Sequence, residues 1–441
     1  MGDADPLADI GSVDWESRDH AYGSAEDVPN GLRRLLSQDK QVREETMYEL
    51  YSNIYHQGTR YTASVAAIPF LYKLVDDPNT PERENIIELL VMLALGMNAP
   101  DEPLGADVAR WLKTEAEVRH PEYATQNKQR WADLIAAATN EKERRNREFR
   151  ASLEPDETPS WQFAQFECYH EVQRGLASMH VCLDDPSAVV RAQAAYALAW
   201  FPKELQTTRE KLLGLLRREE DDAVRATAVV SLAVVQSMAE TDSNQDLIRS
   251  IEEEYSSDHT TEIVRWACSL ALLKLRAYNS QHVSLLTRKL ADDTYLDEYE
   301  SKNLKDTAFP FGDCVGSGLA LLAAVELGAL RGSEHPDVVR AIIAPLSEPH
   351  FGRLLTLPET ALMMVFDGVK PKTRPLFEDM TPLQQEVMVA IANVKESGWR
   401  FGNFLMALQE WNLPSTQAEM LEFVNKDANP ELSGRSFCSV I

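Results

Sequence analysis

Asp184–Trp200 reads DDPSAVVRAQAAYALAW, and the reading of this stretch decides the fold. Acidic residues at a turn suit the positive end of a helix, and Asp is a preferred cap. A run of small and apolar residues follows, broken by one basic residue, Arg191. Two further stretches superimpose on it: Glu219–Val235, EEDDAVRATAVVSLAVV, with Arg225, and His259–Leu275, HTTEIVRWACSLALLKL, with Arg265. In each, a valine (Val190, Val224, Val264) precedes the arginine. A small residue (Ala194, Ala228, Cys268) follows three positions later and a leucine (Leu198, Leu232, Leu272) seven positions later. Those offsets place the small residue and the leucine on one helical face.

The arginines are spaced 225 − 191 = 34 and 265 − 225 = 40 residues apart. An all-helical period of that size marks stacked helix pairs, each of which buries its apolar face only against a neighbour. TTREKLLGLLRRE (207–219) supplies the second helix of one pair. Weaker copies are QDKQVREETMYELYSNI with Arg43 and HPDVVRAIIAPL with Arg340.

The acidic turn, the Val-Arg and the alanine-rich helix resemble HEAT-like repeats. HAYGSAEDVPNGLRRLL, from His20, and HQGTRYTASVAAIPFL are similar to a group of HEAT-repeat proteins of undefined role. The resemblance covers most of residues 15–275 and returns near 379–425. It implies an all-α fold, an α-solenoid (superhelix) of stacked antiparallel helix pairs, HEAT/armadillo-like. It also implies a ladder between turn aspartates and helix arginines, here Asp185, Asp222, Arg191, Arg225 and Arg265, with the third unit departing at Thr261-Glu262. Such folds mostly serve as scaffolds, and a few enzymes, alkylpurine DNA glycosylases and bilin lyases among them, are built on the same solenoid.

The expected organisation is a flexible N-terminus (1–14), N-terminal helix pairs (15–139), a charged, Pro-rich linker (140–160) and central repeats (161–290). An acidic insertion (291–312), C-terminal helical repeats (313–430) and a flexible tail (431–441) complete it. Thr80-Pro81-Glu82 and Thr381-Pro382 both read as a capping threonine followed by proline in the first turn, and Gly96 as a helix stop.

The composition narrows the partners. Against 70 Asp and Glu stand 44 Lys and Arg, a net charge of −26. That excludes a nucleic-acid backbone or an anionic membrane as the main partner and favours a cationic one. The five cysteines are scattered without a C-x-x-C pair, which points to a reducing, cytoplasmic setting and away from a zinc cluster. No apolar run is long enough for a transmembrane segment, and the N-terminus lacks the apolar core of a signal peptide. Cys438-Ser439-Val440-Ile441 meets the outline of a prenylation signal, which leaves a C-terminal lipid anchor open.

No catalytic spacing is present: no H-E-x-x-H, G-x-S-x-G or Walker loop. Acidic pairs such as Asp76-Asp77 and Asp184-Asp185 read as helix caps, so no metal and no cofactor is expected. Gly316-Ser317-Gly318 reads as a tight turn. Cys168 and His170 are two residues apart on a helix and diverge, so they form no nucleophile–base dyad. The densest polar and aromatic stretch is Tyr51–Tyr61. Met47, Leu50, Tyr51 and Ile54 share a helical face, Gly58 reads as a left-handed stop, and Thr59 as the next cap. This joint is expected to gather His56, Arg60 and Tyr61, with Tyr55, His20, Tyr22, Trp161 and His170 as further ligand-binding candidates.

Three functions fit. The first is a scaffold that binds a basic protein or peptide through an acidic concave surface. The second is an enzyme or small-molecule binder with a pocket in the concave groove. The third is an acidic, immunity-type protein that neutralises a basic toxin.

Overall fold

The computed structural model describes residues 5–96, 108–138, 141–152, 160–239, 244–291, 310–312, 318–347 and 351–425. The fold is all-α, with two minute antiparallel hairpins. Two compact units divide it. One comprises Met1–Asp101, Ala106–Glu219 and Met238–Thr241; the other Glu102–Gly105, Glu220–Ser237 and Asp242–Ile441.

In the first unit, β1 (Asp19–His20) and β2 (Gly23–Ser24) precede α1 (Val28–Arg34) and α2 (Lys40–Asn53). β3 (Tyr55–His56) and β4 (Thr59–Arg60) then lead into α3 (Thr62–Asp76) and α4 (Arg83–Leu95). Nine of the thirteen residues of α4 are buried, from Ile86 to Leu95, because helices contact it on more than one side. It packs against α3, against α9 (Ser160–Arg174) and against α11 (Ala188–Leu198). By contrast α7 (Tyr123–Ala136) and α8 (Glu141–Ser152) are mostly exposed, which suits their charged sequences.

Three local expectations need correction. Residues 5–14 are not a loose tail: Leu7 and Ile10 are buried, and the Trp15 indole donates to the Ile10 carbonyl at 2.9 Å. Thr80 does not cap α4. The helix starts at Arg83 behind Glu82, whose φ of 51° breaks the chain direction, and Glu82 accepts from Arg43 Nε at 2.8 Å. Thr59 does not cap α3 either. It is paired in β4, and Ser64 Oγ instead accepts from the Tyr61 N–H at 2.7 Å while donating to the Ile54 carbonyl at 2.6 Å. Gly96 does end α4, with φ of 61°. Pro69 lies within α3 on its exposed side without ending it.

In the second unit, α13 (Asp222–Met238) and α15 (Glu262–Lys274) are each buried almost all round. α14 (Gln245–Ser256) and α16 (Ser280–Ala291) pack on either side of α15, and both present one apolar stripe. Further on, Thr381 caps the helix Pro382–Ala392: its Oγ1 accepts from the Gln384 N–H at 3.3 Å, and Gln384 Oε1 accepts from the Thr381 N–H at 2.9 Å. The linker 153–159, most of the acidic insertion (292–309), Gly316, Ser317 and the tail with Cys438 lie outside the described residues.

Four of the five repeated arginines, Arg43, Arg191, Arg225 and Arg340, pair with a carboxylate. Arg191 sends Nε and Nη2 to Glu219, and its Nη1 to the Asp185 carbonyl. Arg43 pairs with Glu82 and the Ser37 carbonyl, and Arg83 with Asp185 at 2.5 Å. In the second unit Arg225 pairs with Glu254 and with Asp222, and Arg340 with Glu386 and Asp337. Arg265 reaches only carbonyls, of Tyr255 and Ser257. The main acid partner of Arg43, Arg191 and Arg225 thus ends or follows the next helix, a place the turn-aspartate ladder does not assign. Asp185 meets the arginine of α4, and Asp222 only its own helix neighbour.

Candidate functional site

The two hairpins of the first unit meet where α2 ends and α3 begins. In the second hairpin Gln57 and Gly58 both have positive φ, 48° and 82°, which matches the right-handed twist of the strands they join. Tyr55 faces Arg60 and His56 faces Thr59 across the ladder. Side chains alternate between the faces of a strand. Tyr55 and Arg60 therefore share the buried face, whereas His56 and Thr59 share the outer one. The expected grouping of His56, Arg60 and Tyr61 is corrected by this pleat: Arg60 turns inward, away from the other two.

The first hairpin is tied to the same junction. The Ala21 N–H donates to the Asn53 carbonyl at 3.0 Å, and the Asp19 N–H donates to Thr62 Oγ1 at 2.8 Å. His20 is 8% exposed. Its Nδ1 accepts from the Tyr22 N–H at 3.0 Å, so Nε2 carries the proton and donates to Asp27 Oδ1 at 3.0 Å. Asn53 Nδ2 donates to the other oxygen, Oδ2, at 2.9 Å. Both ring nitrogens are thereby used, and His20 anchors the hairpin rather than serving a ligand.

Tyr22 is 67% exposed and meets His56 edge-on, with ring centroids 5.4 Å apart and planes at 73°. His56 Nδ1 lies 3.2 Å from the Ser52 carbonyl and 3.4 Å from Tyr22 Oη. A carbonyl only accepts, so the bond to Ser52 puts the proton on Nδ1 and the lone pair on Nε2. Burial, then the nearby Tyr22, raises the Tyr61 phenol above its usual value. Tyr22 and His56 thus form a solvent-facing aromatic pair, with the half-buried Tyr61 close enough to Tyr22 to feel its charge. Asp14, Glu16, Asp19, Glu26 and Asp27 are exposed along residues 14–27, and Arg18 is the one lysine or arginine among them. The sequence reading missed Asp27 and Asn53, because an Asp before Val28-Pro29 reads as a helix start.

The remaining candidates lie elsewhere. Tyr55 is buried, and its hydroxyl donates to the Gly96 carbonyl at 3.1 Å. The Tyr51 ring meets it at a tilt of 59°, with centroids 4.8 Å apart. Arg60 is 4% exposed and donates from Nη1 to the Gly58 carbonyl at 2.7 Å. Trp161 is half-exposed on α9. His170 Nε2 meets Glu115 Oε2 at 2.8 Å, and Arg119 Nε donates to the same carboxylate at 2.9 Å. Burial raises the Glu115 carboxyl, but these two bonds outweigh it and hold the group below its usual value. The Cys168 thiol is buried and pushed up to about 12, which leaves it unreactive at neutral pH.

Among the described residues, no group of three or more His, Cys, Asp and Glu is placed to hold a metal ion. None of their helices is long and apolar enough to cross a membrane. A shallow depression runs along one face of α7, between Gln126 and Ala137, and holds none of the candidates. No family model, curated protein or solved structure matches this chain.

Proposed function

We propose that this chain is a HEAT-like α-solenoid that binds a basic protein or peptide through an acidic surface. The observation that carries the reading is the recurrence of one arginine–carboxylate arrangement at Arg43, Arg191, Arg225 and Arg340, in a chain of net charge −26. A structural unit repeated in this way presents an extended face, and an excess of carboxylates steers a cationic partner to it. A basic toxin is one such partner. The three free cysteines among the described residues, Cys168, Cys182 and Cys268, are buried, in keeping with a reducing, cytoplasmic setting.

The binding test is a titration of the full chain with a lysine- and arginine-rich peptide, followed by fluorescence anisotropy. The affinity should fall steeply as salt is raised, and a scrambled acidic peptide should not bind. Equal affinity for both peptides sinks the reading.

A second reading, a small cationic ligand, rests on Tyr22, His56 and Tyr61. Aromatic faces attract cations, and exposed acids flank the first of them in sequence, at Asp14, Glu16, Asp19, Glu26 and Asp27. Tyr22→Ala separates the two readings. It abolishes capture of a small quaternary ammonium probe but only modestly weakens an extended peptide.

A further inference from the structure

Arg60 is the buried cation of the first unit that the proposed function leaves unexplained. It is 4% exposed, and among the described residues no carboxylate pairs with it. Nη1 donates to the Gly58 carbonyl. Nε and Nη2 are buried without a hydrogen-bond partner. A guanidinium left this way is destabilising, so each such case calls for a partner.

The two orphaned nitrogens are not an arbitrary pair. Nε–H and Nη2–H lie on the same edge of the guanidinium and form one side of its fork, the edge that takes two oxygens of one anion. The chain uses that edge elsewhere. Arg191 donates from Nε to Glu219 Oε2 at 2.7 Å and from Nη2 to Oε1 at 2.8 Å, while Nη1 goes to a carbonyl at 2.8 Å. Arg340 makes the same fork to Glu386. Arg60 repeats the carbonyl half of the Arg191 arrangement and lacks the carboxylate half.

The surroundings hold the guanidinium in place. The Trp111 ring lies 5.9 Å from its carbon and is itself stacked on Phe166 at 4.8 Å. Gly96 backs it so closely that an added Cβ would sit 1.4 Å from Nη1. Tyr55 flanks it from the paired strand. Charge selects the ligand class. Arg60 brings a single guanidinium charge, so one negative charge balances it and two do not.

We propose that the Nε/Nη2 edge of Arg60 binds a small monocarboxylate, two oxygens to two N–H groups, at the junction of β4, α4 and α9. This site is distinct from the acidic surface of the proposed function. Its test contains no basic partner, so either reading fails alone.

The experiment follows the unfolding midpoint of the full chain, dialysed into chloride, as formate, acetate or phosphate is added at constant ionic strength. Binding to the folded state alone raises the midpoint with the logarithm of the anion concentration, by about 3 °C at a hundred times Kd for a chain of this size. Formate or acetate should give that rise, and phosphate should give less. Arg60→Met should lose the dependence while folding at least as well in chloride, since it removes an unpaired buried charge. Arg60→Lys keeps the charge without the fork and should weaken the response at least tenfold. Native mass spectrometry of the wild-type chain guards against a ligand retained through dialysis, which would appear as added mass lost on denaturation. The proposal is overturned by a wild-type midpoint indifferent to all three anions with no added mass. It is equally overturned by a response that Arg60→Met keeps, or by phosphate matching the carboxylates.

Discussion

Arg191 and Glu219 form a two-bond fork, 2.7 and 2.8 Å, between side chains only 18% and 5% exposed. Because both charges are largely out of water, removing one strips the other of two charge-assisted bonds. Glu219→Gln should therefore cost about 3 kcal/mol of stability. The double variant Arg191→Met with Glu219→Leu should recover most of that loss, since a buried pair replaced whole by apolar groups is often neutral. Urea unfolding of Arg191→Met, Glu219→Leu and the double variant measures the coupling. Additive losses would show that the fork is not a unit.

The Gln57-Gly58 turn gives a smaller effect of either sign. Gly58 has φ of 82°, a conformation that L residues adopt at a cost, so Gly58→Ala should destabilise by about 1 kcal/mol. Gln57 sits at φ of 48°, where Asn is more at ease, so Gln57→Asn should stabilise by about 0.5 kcal/mol. The two substitutions should shift the urea midpoint in opposite directions with unchanged slope.

This turn also shows what the sequence made legible and what it hid. The helices around Arg191, Arg225 and Arg265 are plain in the sequence, because burial on one face imposes a spacing that can be counted. The acid partners are not, because Glu219 and Glu254 lie about a helix away from their arginines and nothing local marks them. At Tyr51–Tyr61 the glycine was visible, but Gln-Gly is a weaker hairpin signal than Asn-Gly. Once the segment is a strand pair, alternation of side chains separates His56 from Arg60, whereas a helix joint would have kept them together. His20 looked available because its bond to Asp27 spans a hairpin that composition does not announce.

His282 makes stability depend on pH. Its side chain is fully buried. Its Nδ1 accepts from the Asn279 N–H at 3.2 Å, and Nε2 faces the Glu252 carboxylate at 3.7 Å and the Tyr255 ring edge. Burial lowers the imidazole below its usual value, against the opposing pull of Glu252. The folded chain then resists a proton that the unfolded chain accepts near pH ~6.5. Stability is full above that value and falls as the pH drops through it toward the folded-state value. His180, lowered by burial and by Lys211, acts in the same direction. Unfolding midpoints between pH 7.5 and 5.5 should decline for the wild type and decline less for His282→Asn, whose side-chain oxygen keeps the acceptor for Asn279. An unchanged slope in that variant would assign the dependence elsewhere.

Tyr72 and Gly175 join α3 to the end of α9. The Tyr72 ring lies against the glycine so closely that an added Cβ would meet its Cε2 at 2.2 Å, and the hydroxyl donates to the Val172 carbonyl at 2.7 Å. Burial raises the phenol far above its usual value, so it stays a neutral donor across the working range. Gly175 has φ of −89°, so an alanine there suffers no backbone strain and the penalty is overpacking alone. Gly175→Ala should then destabilise by about 1–3 kcal/mol as the ring or α9 shifts. Tyr72→Phe should cost about 1–2 kcal/mol, because it leaves the Val172 carbonyl without its buried donor. Tyr72→Leu combined with Gly175→Ala makes room for the added methyl, so its loss should be smaller than the sum of the losses of Tyr72→Leu and Gly175→Ala measured alone. A strictly additive double variant would mean that the ring and the glycine do not oppose each other.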